Sequence, residues 1–372
     1  MDAIRHHSFG PPEVLVLEQV PDPVPGPGEV LVDAVAHGVH LLDTSLRRGE
    51  AGPPLPLPSL PTVPGREIAG TVAAVGPGVD GAWAGRPVAA HLGPVPDGGG
   101  YARCVVVGAE KLHALPDGPG GAPLDPADAI TMIGTGRMAV YTLDIAAVTA
   151  GDVVVVTGAA GGLGTLFVQE ALRSGARVVA LAGGPAKLRV LEDLLGDLGR
   201  DDAPGADRLA LVDYSADGWL DAARAALGGS PATLVFDGVG GDLGTAATSL
   251  LRGAGGGGAD GGGAGGRLAD DGRADDSTTP GRLVAYGWAS GTPNRFTAWA
   301  EDGRIESPVE VRYAVGPQAP PMADQRPYQE RALALAASGR WRVATHRVPF
   351  AEAARAHREL EERRTTGKVV LV

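Results

Sequence analysis

The sequence holds one cysteine, Cys104, in 372 residues. No internal disulfide can form, and a reducing cytoplasm is the expected setting. No run of about 18 apolar residues is present, which excludes a membrane-spanning helix. Met1 to His7 carry no apolar stretch, so no secretory signal is expected there. No block of lysines and arginines offsets the formal net charge of −12. That argues against nucleic acid or an anionic membrane as the main partner and leaves a small-molecule substrate. A chain of this length has material for two domains.

What is present is most informative around Val153-Val154-Val155-Val156-Thr157-Gly158-Ala159-Ala160-Gly161-Gly162-Leu163-Gly164. Four β-branched residues predict a buried parallel strand. Thr165 to Leu172 predict a helix opening against the glycine turn. A strand, a glycine turn and a helix place a pyrophosphate on free N–H groups at the positive end of a helix dipole. Ala160 and Leu163 lie in that turn. Gly161 and Gly162 are expected to let the backbone approach the phosphates, and Gly164 to let helix and strand pack closely.

A second absence chooses the cofactor. The next strand, Ala176 to Leu181, runs into Ala182-Gly183-Gly184-Pro185-Ala186-Lys187. A strand in this place usually ends in an acid that holds the ribose hydroxyls of NAD. Here no acid stands at the tip, and Lys187 follows. A lysine attracts a 2′-phosphate that a carboxylate repels, and such charge-assisted hydrogen bonds are worth roughly 1.5–3 kcal/mol. The reading favours NADPH over NADH. The other reading of Lys187 is a solvated residue in the first turn of a helix.

Texture divides the chain. Residues 1–127 read as short strands between proline-rich turns, with strands expected at 14–17, 29–36, 68–76, 86–90 and 102–107. From 128 to 317 helix and strand signals alternate, which implies an α/β domain with a parallel sheet. Its strands are expected at 153–156, 177–181, 209–212, 233–236 and 282–286. Residues 318–372 revert to the first texture, with a strand at 345–350, a helix at 351–364 and a closing strand at 368–372, and are expected to complete the first domain. The stretch 253–281, almost all Gly, Ala, Asp and Arg, reads as a disordered surface insertion.

The order of these segments resembles the zinc-independent quinone oxidoreductases of the medium-chain dehydrogenase/reductase superfamily, which include the zeta-crystallin-like proteins. The marks are Gly158 to Gly164, Val212-Asp213-Tyr214, Phe236-Asp237-Gly238-Val239-Gly240-Gly241, Gly281 to Gly287 and Thr366 to Leu371. In the front part they are Gly38-Val39-His40-Leu41-Leu42-Asp43 and Gly65-Arg66-Glu67-Ile68-Ala69-Gly70-Thr71-Val72. The resemblance implies a GroES-like β-rich domain, a doubly wound Rossmann domain, a cofactor cleft between them and a homodimer. It implies that Lys187, Tyr214 and Arg363 contact the 2′-phosphate. It places Ala182 at the strand tip, Val239 and Gly240 beside the ribose, and Tyr286, Gly287 and Trp288 beside the nicotinamide. Ala139 stands where the family often has a cofactor-contacting threonine.

The same comparison bears on metal. Zinc-dependent relatives have a cysteine at the place of His40, a histidine at that of Arg66, and a four-cysteine lobe. An arginine at a ligand position repels a cation, and no metal is expected. The family often has asparagine at the place of His40 and tyrosine at that of Ser45, so these two are the candidate catalytic positions. The imidazole of His40, with an ordinary pKa near 6.5, is suited to holding a carbonyl oxygen or donating a proton. The expected activity is an NADPH-dependent transfer of hydride to a quinone or an α,β-unsaturated carbonyl. The alternatives are a pathway-specific enoyl reductase of secondary metabolism and a non-catalytic NADPH-binding sensor or partner protein.

Overall fold

The computed structural model describes residues 1–50, 56–93, 99–195, 198, 208–254, 280–297 and 307–372. Most of the glycine-rich stretch expected as an insertion, 255–279, lies outside the described residues.

Prolines and β-branched residues set the pattern of the first part. The strands are β1 (Asp2–Arg5), β2 (Val16–Gln19), β3 (Glu29–Gly38), β4 (Glu67–Val75), β5 (Pro87–His91), β6 (Cys104–Gly108) and β7 (Leu112–Ala114). The strand expected at 14–17 starts later, because Pro11 and Pro12 open a short 3-10 turn at Pro12–Val14. Helix α1 (Leu41–Arg48) follows β3 and ends on Gly49, whose φ of 83° supplies the left-handed cap. Helix α2 (Pro126–Thr131) is capped by Asp125, which accepts from Ala127 and Asp128. It runs through one π turn, Met132–Gly136, into α3 (Arg137–Ala146).

The second part alternates. Strands β8 (Val153–Val156), β9 (Arg177–Ala182), β10 (Leu209–Asp213), β11 (Leu234–Asp237), β12 (Arg282–Ala285) and β13 (Glu310–Tyr313) interleave with α4 (Gly162–Arg173), α5 (Pro185–Leu195), α6 (Trp219–Ala226) and α7 (Gly241–Thr248). The chain closes with α8 (Arg326–Ala337), β14 (Thr345–Val348), α9 (Ala353–Glu361) and β15 (Lys368–Leu371).

Two compact units result. The first comprises Met1–Tyr141, Ala160–Leu166 and Met322–Val372. Its seven-stranded sheet runs β14-β15-β3-β4-β5-β7, with β6 also paired to β3. Strand β3 is the hub. Val30, Val32, Ala34 and Ala36 alternate inward, while Asp33 and Val35 face out. Val30, Val32, Ile68, Val72, Val88 and Leu112 share one core, each burial contributing about 1.5–3 kcal/mol. The last strand, β15, joins β3 antiparallel through Val370↔Gly38 and Leu371↔His37.

The second unit comprises Thr142–Ala159 and Phe167–Pro321. Its strands are all parallel, in the order β10-β9-β8-β11-β12-β13. Numbered along the chain this is 3-2-1-4-5-6, the doubly wound arrangement that binds ligands where the order reverses, here beside β8 and β11. Val154, Val155, Val156, Leu234, Val235 and Phe236 are fully buried, as central parallel strands require. Phe167 of α4 stacks on Phe236 at 4.5 Å, fixing the helix to the sheet next to that reversal. Among the described residues no helix is long and apolar enough to cross a membrane.

Candidate active site

The glycine turn leaves β8 through Gly158, whose φ of 60° only glycine adopts without strain. Ala160 accepts a 2.7 Å bond from the N–H of Gly367, and Gly161 forms a bridge with the same glycine. The turn therefore rests on the segment that opens β15. Gly162 is bare for a packing reason. A Cβ there would lie 3.1 Å from Thr135 and 3.4 Å from the backbone of Lys368.

In the second unit the tip of β9 differs from the expectation in one respect. A carboxylate does stand there, and it comes from the neighbouring strand. Asp213 pairs in register with Ala182. Its Oδ1 accepts from Gly184 N at 2.8 Å, Ser215 N at 2.9 Å and Ser215 Oγ at 2.6 Å. These bonds, that of the Ser215 hydroxyl foremost, hold the carboxyl below its ordinary range. The charge is engaged in fastening the turn. The ring of Tyr214 covers Gly183 so closely that a Cβ would lie 2.8 Å from it. Lys187 sits in the first turn of α5.

At the end of β11, Asp237 is a buried hub. It accepts from Thr157 Oγ1, from the N–H groups of Val239 and Gly240, and from Asn294 Nδ2. The backbone donors of Val239 and Gly240 are thus already engaged. Asn294→Ala would leave Asp237 Oδ2 and the Thr248 hydroxyl short of a partner, and is expected to cost about 1–3 kcal/mol in the urea unfolding of the second unit. Tyr286 donates to the Thr157 carbonyl at 2.7 Å, and burial pushes its phenol far up. Gly287 lies against Gly238, a Cβ there being 3.1 Å from its carbonyl. Trp288 Nε1 and Gln318 Nε2 are buried donors with no partner among the described residues. Unpaired buried donors of this kind fit a ligand that brings acceptors, as a nicotinamide nucleotide does.

In the first unit, His40 caps α1 and is also a charge partner. Its backbone N–H donates to Asp43 Oδ2 at 2.8 Å. Its Nε2 lies 2.7 Å from Glu67 Oε1, and Glu67 Oε2 lies 3.1 Å from Lys368 Nζ. Neither Glu67 oxygen is engaged in an aligned hydrogen bond. Glu67 is wholly buried. A Cβ on Gly134 or Gly38 would fall 1.5 Å and 2.2 Å from its oxygens, so both positions must be glycine. The π turn brings Gly134 there, a helical irregularity typical of functional sites. Burial alone would raise the Glu67 carboxyl, but His40 and Lys368 overcome it and hold it well below the usual range. Burial pushes His40 down, with Glu67 pulling the other way and Lys368 adding to the fall. Burial lowers Lys368 as well, and takes nearby His91 down to about 3.

Sequence reading did not single out Glu67 or Lys368. The one available signal was a charged residue at the head of each of two apolar strands. Ser45 Oγ accepts from Arg48, which pairs with Glu50 and Glu361. Arg363 is exposed just after α9, at a φ of 56°. Among the described residues no three His, Cys, Asp or Glu side chains gather to hold a metal. His40 and Glu67 are joined by Lys368, with Arg66 next in the chain to Glu67. Such cations do not fit a zinc site.

Comparison with known proteins agrees with this architecture. Residues 26–117 match the alcohol dehydrogenase GroES-like domain, and residues 204–371 match the family described as zinc-binding dehydrogenase. A quinone oxidoreductase of Pseudomonas aeruginosa is 31% identical, over 99% of this chain and 98% of its own. A 2-haloacrylate reductase of a Burkholderia species is 29% identical, over 98% of this chain and 97% of its own. A mycobacterial protein solved in complex with NADPH is 28% identical, covers both chains fully and superposes with a TM-score of 0.72. With a GroES-like unit, a 3-2-1-4-5-6 parallel sheet and a full-length relative at this identity, the chain belongs to the zinc-independent quinone oxidoreductase family of the medium-chain dehydrogenase/reductase superfamily.

Proposed function

We propose that the chain is an NADPH-dependent reductase that works without a metal and transfers hydride to an α,β-unsaturated carbonyl or a quinone. One observation carries the reading. A histidine set for proton handling, His40 on Glu67 and Lys368, shares a unit with the glycine turn, and Gly367-Lys368 touches both. The names of the relatives support it, as does the NADPH bound in the mycobacterial structure.

Ala160 to Gly164 would hold the diphosphate at the head of α4. Lys187 and Tyr214 would hold the 2′-phosphate, the Tyr214 ring being set by its seat on Gly183. Ala182, Val239 and Gly240 would border the ribose, and Tyr286, Gly287 and Trp288 the nicotinamide. Bound NADPH supplies the hydride. Negative charge then grows on the substrate and must meet a donor. His40, whose Nε2 lies on Glu67, would be the group that exchanges a proton with substrate. Glu67 stabilises the ring while that proton is present. Burial and Lys368 oppose its retention, which suits a group that must release the proton as well as take it up.

Titration with NADPH and NADH tests the reading. Lys187→Glu is expected to weaken NADPH by about 10- to 150-fold and leave NADH nearly unchanged. Equal effects on both cofactors would overturn the assignment of Lys187. Failure of a broad panel of quinones and enones to oxidise NADPH would overturn the reductase itself.

A further inference from the structure

Arg66 and Arg137 have no place in the scheme so far. Around Glu67 the first unit gathers three basic side chains, Arg66, Arg137 and Lys368, and two carboxylates, Glu67 and Asp43. The nearby His91 and His40 are both pushed toward the neutral form. Among the described residues only Lys368 of these three has an anion in direct contact, Glu67 at 3.1 Å. Among the described residues Arg66 reaches no carboxylate closer than Asp43 at 3.9 Å. Asp43 Oδ2 is itself engaged by the His40 N–H and lies 3.5 Å from the Tyr101 hydroxyl. The Nε of Arg66 and the Nε of Arg137 are buried with no hydrogen-bond partner among the described residues. Arg137 Nη1 donates to the neutral amide of Gln325. The Arg66 side chain keeps 18% of its surface exposed, so it is reachable from outside.

A guanidinium presents five N–H donors in a planar fork, and the group that fills the fork with two parallel bonds is a carboxylate. Buried N–H donors left unpaired call for a partner. We infer that the substrate of this reductase is an anion, an α,β-unsaturated carboxylic acid whose carboxylate is received by Arg66 with Arg137 beside it. The inference rests on the reading above and names the substrate class for the same site.

The chemistry accounts for the arginine twice. In the ground state the carboxylate carries one charge. When hydride adds to the β-carbon, the π pair of the double bond moves onto the α-carbon and the carboxylate oxygens, and the group gains a second charge. Arg66 meets that growth where it occurs. A proton from His40 then adds to the α-carbon, giving the saturated carboxylate. The backbone N–H of His40 and the Nε of Arg66 lie 2.8 Å and 3.9 Å from the carboxylate of Asp43, so the two residues sit in one part of the first unit.

The test compares crotonate with its methyl ester. Binding is followed by calorimetry and turnover by NADPH oxidation, in the full-length protein and in Arg66→Met. The expected result is preference for the acid, with the acid-to-ester affinity ratio falling about 10- to 100-fold in Arg66→Met and partly restored in Arg66→Lys. Arg137→Met should lower the same ratio, which covers the case in which Arg66→Met does not fold. Equal binding of acid and ester, or an equal loss of both in the variant, would overturn the anionic substrate while leaving the reductase standing. Arg66-dependent binding of the acid with no oxidation of NADPH by any acceptor would uphold the anion site and overturn the reductase.

Discussion

Glu67→Gln is expected to destabilise the first unit by about 3–5 kcal/mol, because it leaves a buried cation without its anion. The carboxylate lies between His40 and Lys368, walled by Gly38 and Gly134 and wholly buried. The amide has the same shape but no charge. Lys368, already lowered by burial, would relieve part of the cost by shedding its proton, so the loss should deepen as pH falls and the proton is forced back. The double variant Glu67→Gln/Lys368→Met removes both charges, and should recover more than half of the loss. Urea denaturation at pH 7 of the single and double variants checks this. A single variant within about 1 kcal/mol of the parent would show that the pair is not coupled. The native carboxyl has its own pH signature. Its folded value lies well below the ordinary 4.5, so its contribution is complete above that pH and is lost only as pH falls below it.

Acid should unfold the first unit before that window is reached. His37 and His357 are fully buried, and burial holds each down to about 4 from an ordinary 6.5. Both stay neutral in the fold, while in the unfolded chain they take up protons below 6.5. The unfolded state therefore binds more protons between pH 6.5 and about 4, and stability falls as pH drops across that range. Each contributes about 3 kcal/mol over the window, on the order of 6 kcal/mol together, comparable with the whole stability of many domains. His6 and His113, also lowered by burial, act in the same direction. Urea midpoints between pH 7 and 4.5 should show an uptake of about two or more protons on unfolding, and His357→Gln should remove about one. Uptake of less than one proton would contradict the buried neutral state of these rings.

The sheet and turns were legible where the signal is local. Four valines followed by glycines specify β8 and the turn after it, whatever the rest of the chain does. The spacing of the later strands specifies a parallel sheet. Charge placement was not legible, because it depends on register and on contacts between distant segments. Asp213 reads as the end of β10, yet it serves the tip of β9, and only the Asp213↔Ala182 pairing shows this. Residues 40, 67 and 368 are far apart in sequence and meet only when β15 lies on β3. Ser45 follows His40 closely, but its hydroxyl is engaged by Arg48 of the same helix. The helix expected at 351–364 is shorter, Ala353–Glu361, since a 3-10 turn at Phe350–Glu352 precedes it and the chain turns left-handed at Arg363.

Strand β15 has a further consequence for synthesis of the chain. Its partner β3 leaves the ribosome early, whereas Gly367 and Lys368 are made almost a whole chain later. Until then the His37–Gly38 end of β3 lacks its β15 partner, Glu67 has no lysine, and the glycine turn has no seat. Pairings of such long sequence separation are slow to form and expose unpaired strands meanwhile. The first unit therefore closes last although it begins first. A chain that stalls before residue 367 would lack the strand partner, the counter-charge and the support of the turn together.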